Sequence, residues 1–279
     1  MSATNTASRW GQATYWPRLA LRRYIKTAAM AASSAIGESR IFVLEYLLRF
    51  LRVAVLLSLW RVILAGKGPV SGMTLPTVLT YTLISEVFAE QLTSRTQVTD
   101  DLWQGTITVR LLEPMTAVEH YAADMAGRWL FGLGLVSLPL LLCAPLIGVN
   151  PLPASPLAGL LFLPSLALSV VVGLALEFFF AGLIVALQQA VWVITHMRTA
   201  ISALLSGALL PLALLPWGIG NVFAWLPFAS TASAPLQIYT GTGNPAMLLL
   251  VQAGWAIVLW LVTLWLWRAN REKMVGYGG

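Results

Sequence analysis

Apolar residues in this chain fall into long runs, without the period-two alternation of a half-buried strand. The stretch "LLSGALLPLALLPWGIGNVFAWLPF", Leu204–Phe228, carries no charge, yet Pro211, Pro216 and Pro227 interrupt it, with Gly207, Gly218 and Gly220 between them. A bilayer-crossing helix needs about 20 apolar residues. Six runs meet this need and predict spans at 42–65, 74–95, 121–148, 157–190, 193–214 and 245–268. The fourth is long for one straight crossing and predicts tilt or an interfacial start. The pattern therefore predicts an all-α polytopic membrane protein.

The positive residues orient the spans. No charge lies between Arg128 and Glu177, and none between Arg198 and Arg268. With six spans, these uncharged loops face outward and both termini face the cytoplasm. Arg61 and Lys67, at the outer end of span one, break the rule. Pro17–Ile36 reads as an amphipathic helix on the cytoplasmic membrane surface, with Arg18, Arg22 and Lys26 on one face and Leu21, Ile25, Ala28, Ala29 and Ala32 largely on another. No compact apolar segment follows the early basic residues, so the start does not read as a cleavable signal.

Composition agrees. Of 279 residues, 58% are hydrophobic and 10% charged, against about 25% charged in soluble domains, and mean hydropathy is +0.78. The net charge of +6 sits mostly at span ends and in short loops, which is a topology signal and no nucleic-acid patch. The single cysteine, Cys143, lies in an apolar run and reads as packing.

Catalytic motifs are missing. Gly66-Lys67 lacks the upstream glycine and following hydroxyl of a phosphate-binding loop. Neither a zinc-peptidase nor a serine-hydrolase signature occurs, and His120 and His196 stand alone near span ends. In span one, Glu45 and Arg49 are placed to pair along the helix, and Arg49 and Arg52 to reach the head groups. Two carboxylates stand out. Glu177 lies well inside span four, and Glu86 lies nearer the inner end of span two. A charge there must face protein, water or a cation. Glu177 reads either as a translocation-path carboxylate touching substrate or a span-one arginine, or as a paired structural residue.

The outer stretch raises a related problem. Irregular backbone at membrane depth survives only where protein or a water-filled cavity satisfies it. Gly207, Pro211, Pro216, Pro227 and Pro235 predict short re-entrant outer helices over about 208–243, forming a gate before span six. The alternative is a kinked helix with a long outer loop.

The inner loop, about 96–120, contains "DDLWQGTITVRLLEPM". Its apolar side chains suit either docking to another protein or rest on lipid and the chain's own spans. The segment "LWQGTITVRLLEPM" resembles the one after the second span of ABC-2-type transporter permeases. "LLSGALLPLALLP", then "LPF" and "APLQIYTG", resemble that family's stretch between spans five and six. The resemblance covers nearly the whole chain. It implies the membrane subunit of an ATP-binding cassette exporter in the bacterial inner membrane; the apolar path with few charges points to a hydrophobic or amphipathic substrate. It implies three parts: an N-terminal segment, 1–40; a transmembrane domain, 41–268; and a cytoplasmic tail, 269–279. It implies a separate nucleotide-binding ATPase subunit that holds ATP and magnesium, and a second permease, identical or paralogous, alongside membrane lipid. This chain would bind no cofactor and catalyse nothing. Asp101, Leu102, Trp103, Gly105, Leu111, Leu112 and Pro114 would form the coupling element. Glu113 departs from the family pattern, where an apolar or basic residue is expected. The alternative is a self-contained secondary transporter, but the helix breaks cluster in one half, whereas inverted repeats place them in both.

Overall fold

The computed structural model describes residues 23–33, 42–107, 115–188, 190–270 and 273. Among them every regular element is helical, apart from one isolated bridge between Val70 and Met73. A helix over 23–33, α1, is followed by α2 (Phe42–Ile63), α3 (Leu75–Val87), α4 (Ala89–Thr93), α5 (Val98–Gln104), α6 (Ala117–Gly132), α7 (Leu138–Cys143), α8 (Pro156–Leu187), α9 (Val191–Leu205), α10 (Ile219–Phe223), α11 (Ser233–Thr240) and α12 (Pro245–Ala269). A π turn at Leu133–Ser137 joins α6 to α7.

The helix starts follow local chemistry. Ser155 caps α8 by accepting from Ala158 N at 3.1 Å, and Asn244 caps α12 by accepting from Ala246 N at 3.1 Å. Each cap precedes a proline, whose fixed φ suits a first turn and whose missing N–H costs nothing there. Thr116 and Glu119 form a reciprocal capping box at α6.

Among the described residues, three stretches are long and apolar enough to cross a bilayer: Ala117–Ile147, Pro156–Leu187 and Pro245–Ala269. The other expected spans differ from their sequence-based bounds. α2 carries Glu45, Arg49, Arg52 and Arg61, too much charge for a plain apolar crossing. Expected span two breaks at Phe88, and Ser137 of the π turn donates to the freed Val87 carbonyl at 2.6 Å. Expected span five is helical only to Leu205.

α8 and α12, at the positions of expected spans four and six, form the spine. Trp260 Nε1, Thr263 Oγ1 and Trp267 Nε1 donate to the carbonyls of Val171, Ala175 and Phe178, at 3.1, 3.1 and 2.7 Å. Gln252 Nε2 donates to Ser165 O at 3.1 Å. The offset between partners stays at 87–89 residues, so α8 and α12 run parallel and in register. The intervening chain must return to the side from which α8 began.

That return is irregular. Beyond Leu205 the chain bends, makes 3-10 turns at Leu212–Leu214 and Pro216–Gly218, and continues into the short α10 and α11. Gly207 adopts φ +76°, where an L side chain is strained. Gly220 lies so close to the Leu212 carbonyl that a β-carbon would overlap it. Side chains satisfy the exposed backbone: Tyr81 donates to Gly207 O at 2.8 Å, Ser85 to Ala208 O at 2.6 Å, Gln252 to Ser230 O at 2.8 Å, and Ser169 to Thr231 O.

The remaining irregular segment is held in the same way. Thr80 donates to Asn150 O at 2.8 Å, Tyr239 to Pro151 O at 2.5 Å, and Arg61 to Ile147 O. The Arg61 contact accounts for a basic residue on the side that the charge rule assigns to the exterior. α1 lies against α6, with Gly127 at the Ala28 carbonyl and the Tyr24 hydroxyl bonded to Glu119. It is thus seated on protein. The remainder of the expected interfacial helix, with Arg18 and Arg22, lies outside the described residues.

Replacing Gln252 with Leu should remove both the Ser165 and Ser230 contacts and orphan a buried carbonyl. We expect a loss of about 1–3 kcal/mol, read as a lower melting temperature in mild detergent. Thr263→Val, which breaks a single bond, should cost less.

Candidate functional site

Arg198, on α9, forms an ion pair with Glu177 of α8. Both are largely buried, with 13% and 2% of their side-chain surface exposed. Glu177 Oε1 also accepts from Thr96 N and Thr96 Oγ1, each at 3.4 Å. Arg198 Nη2 reaches Thr93 O at 3.5 Å. The pair therefore joins α8, α9 and the short linker between α4 and α5. Ser94, in the left-handed conformation, ends α4 and starts that linker. Its side chain fits against α8 because residue 173 is glycine.

Beside the pair is a cavity of about 330 Å³. Three arginines line it: Arg52 from α2, Arg95 from the linker, and Arg198. Thr93, Thr199, Ser202, Ser206 and Thr231 add hydroxyl-bearing residues, while Leu92, Leu176 and Leu209 add apolar wall. Arg198, Thr199, Ser202, Ala203 and Ser206 recur at the spacing of one helix face. Two arginines of α2 are anchored at this level. Arg52 pairs with Glu86 at 2.9 Å, and Arg49 pairs with Glu90 at 3.1 Å while donating to Glu86 O at 2.7 Å.

Glu177 and Glu86 are thus both buried and cation-paired, and neither lines the cavity. Of the two expectations for Glu177, the structure shows the paired residue, with Arg198 of α9 as its partner in place of a span-one arginine. Span-one arginines meet Glu86 and Glu90 instead, so Arg49 pairs across helices, and the Glu45 side chain lies outside the described residues. Arg198 had a readable signal: it is the last charge before a long uncharged stretch. A lone cation in one apolar run complements a lone anion in the preceding one.

The expected coupling element divides in two. Leu102 is 1% exposed, packed in a core that includes Ile107, Tyr121 and Phe178. Asp101 accepts from Tyr121 Oη at 2.6 Å and from Thr106 Oγ1 at 2.9 Å. Both face inward and fasten α5 to the bundle. Trp103 is 58% exposed and meets the Trp192 ring edge to face. Gly105 ends α5 at φ +71°, a conformation that glycine adopts without strain. Leu111, Leu112 and Pro114 lie outside the described residues. Of the outer set, Pro211 and Pro235 are buried, Pro216 opens the second 3-10 turn, and Pro227 lies in the turns before α11.

A family model described as ABC-2 family transporter protein matches residues 50–278. The chain belongs to the ABC-2 transporter family. The match runs from α2 past α12 and takes in the cavity, α5 and the irregular return. No curated protein matches the chain closely enough to count as a relative. As an ABC-2 protein it is a multi-pass membrane chain, and its family is that of ABC-transporter membrane subunits, which associate in general with an ATP-binding subunit.

The ion pair gives a direct test. Glu177→Ala leaves Arg198 as an uncompensated buried charge and should cost about 3–5 kcal/mol. The double replacement Glu177→Leu with Arg198→Leu should recover much of that loss. A double-mutant cycle on thermal unfolding in detergent measures the coupling.

Proposed function

We propose that this chain is the permease half of an ATP-driven exporter with six crossings, both termini in the cytoplasm of a bacterial inner membrane, and a hydrophobic or amphipathic substrate. One observation carries the reading. The segment from α5 to the cavity is only Arg95–Gln97 long, and it bonds through Thr96 to the Glu177–Arg198 pair. Movement imposed on α5 reaches the cavity wall with no flexible intermediary.

α5 suits a lever. Leu102 and Asp101 hold it in the bundle, while exposed Trp103 is offered to a partner; Leu111, Leu112 and Pro114 join the docking surface on the family resemblance. The ATPase, with its ATP and magnesium, is a separate subunit. This chain catalyses nothing itself and binds no cofactor. A second permease, identical or paralogous, completes the path. Glu177 acts in it by holding Arg198 in place, and Glu86 by holding Arg52.

The parallel α8 and α12 support a return crossing through α9. At 1.5 Å per residue, 15 helical residues span roughly 22 Å, short of the ~30 Å hydrocarbon core. The irregular stretch around Gly207, Pro211 and Pro216 then completes the crossing and re-enters, with Pro227 and Pro235 in the outer gate. Exposed Trp217 and Trp225 suit the outer interface.

Affinity purification of the tagged chain in mild detergent should recover a nucleotide-binding ATPase near one to one. Leu112→Asp, and separately Trp103→Asp, should lower that recovery about tenfold, a loss near 1.4 kcal/mol, while membrane insertion stays intact. Equal recovery with both variants would remove the docking surface. A chain that purifies alone and transports without ATP would remove the reading itself.

A further inference from the structure

The three arginines of the cavity do not balance with the carboxylates behind them. Arg52 is matched by Glu86 and Arg198 by Glu177. Arg95 makes no ion pair among the described residues, and its side chain is exposed while lining the cavity. Glu90, on α4, is taken by Arg49. Three positive charges thus meet two negative ones around a pocket whose other lining residues are uncharged. Arg198 carries a second sign of unmet demand: its Nε is buried without an acceptor. Guanidinium groups present rigid N–H forks that match oxyanions in geometry, and they are weakly hydrated enough to work in a partly apolar site. Ser202 places a hydroxyl on the same face of α9 as Arg198, whereas the Thr199 hydroxyl already donates to Thr195 O at 2.9 Å.

We propose that this cavity is an oxyanion site, taking the anionic head of an amphipathic molecule at Arg95 and Arg198, with the start of its apolar portion along Leu176 and Leu209. The inference rests on the permease reading and narrows its substrate class from amphipathic to anionic amphipathic. The volume of about 330 Å³ lies at the small end of ligand pockets, so it holds a head group and the first part of a chain. The remaining hydrocarbon of a long amphiphile would lie in the membrane. The geometry also divides the labour between the arginines. Arg52 and Arg198 are fixed by their carboxylates and shape the site, whereas Arg95 supplies the uncompensated charge that a bound anion neutralises.

The test uses the full-length chain in phosphatidylcholine nanodiscs, with empty nanodiscs as the partition control. The probes are dodecyl phosphate, inorganic phosphate, and dodecyltrimethylammonium as the cation of equal chain length. Dodecyl phosphate should bind saturably above the control. Arg95→Gln should weaken that binding about tenfold, the scale of one charge-assisted contact, and Arg95→Lys should retain most of it. Because Arg95 is exposed and unpaired, these variants should keep the wild-type melting temperature. Competition by inorganic phosphate would support the site with a free oxyanion as its source; saturable dodecyl phosphate binding that phosphate does not displace would support it with a membrane amphiphile. Equal binding of the cation, or full affinity in Arg95→Gln, would overturn the proposal. No ATPase or nucleotide is present, so loss of ATPase association and loss of anion binding are read separately.

Discussion

A charge in an apolar interior must be matched, and the Glu177–Arg198 pair is where this protein is most constrained by that rule. Neither residue could face lipid without a cost of several kcal/mol. Their pairing draws together a helix of the spine, the short α9 and the Arg95–Gln97 linker. Thr96 completes the carboxylate's hydrogen bonding and so ties the linker to the membrane helices. The cavity wall is a consequence. Once Arg198 is held by Glu177 and Arg52 by Glu86, two guanidinium groups are fixed in place beside the linker arginine.

A second rule, that backbone polar groups need partners, shapes the rest of the bundle. The chain between α9 and α12 would be intolerable in lipid on its own, because proline and glycine break its helical bonding. It persists because regular helices lend it side-chain donors: Tyr81 and Ser85 from α3, Ser169 from α8, and Gln252 from α12. Tryptophan and threonine of α12 bond to carbonyls along α8 in the same way, fixing the register of the spine. Packing alone drives helix association weakly in a bilayer, so these polar contacts specify which helix faces which.

The sequence was legible where chemistry is local. Prolines at helix starts, the Gly105 bend and the breaks around Gly207, Pro211 and Pro216 all follow from backbone preference, and the long apolar stretches at 157–190 and 245–268 follow from composition. It was less legible where distant residues meet. Hydropathy carried span five to residue 214, but the helix stops at Leu205 because the following carbonyls find partners on α3. Span two reads as continuous, yet Ser137 stabilises its break. Leu102 looked like a docking residue because an apolar side chain in a short loop has no visible core, and that core is supplied by Tyr121 and Phe178. The arginine-rich α2 was one candidate partner for Glu177, whereas Arg198 complements it from the next helix.

These constraints make a coherent device. α5 is fastened to the bundle at its inner face and leaves Trp103 outside, and its linker ends on the ion pair of an arginine-lined cavity. On the permease function proposed above, nucleotide state in a partner subunit controls this cavity. A Cys143→Ser chain carrying Ser202→Cys, purified with its ATPase, offers one reactive thiol in the cavity wall. Its labelling rate with a water-soluble methanethiosulfonate should differ between the nucleotide-free and ATP-trapped complex. The same rate in both states would contradict the account.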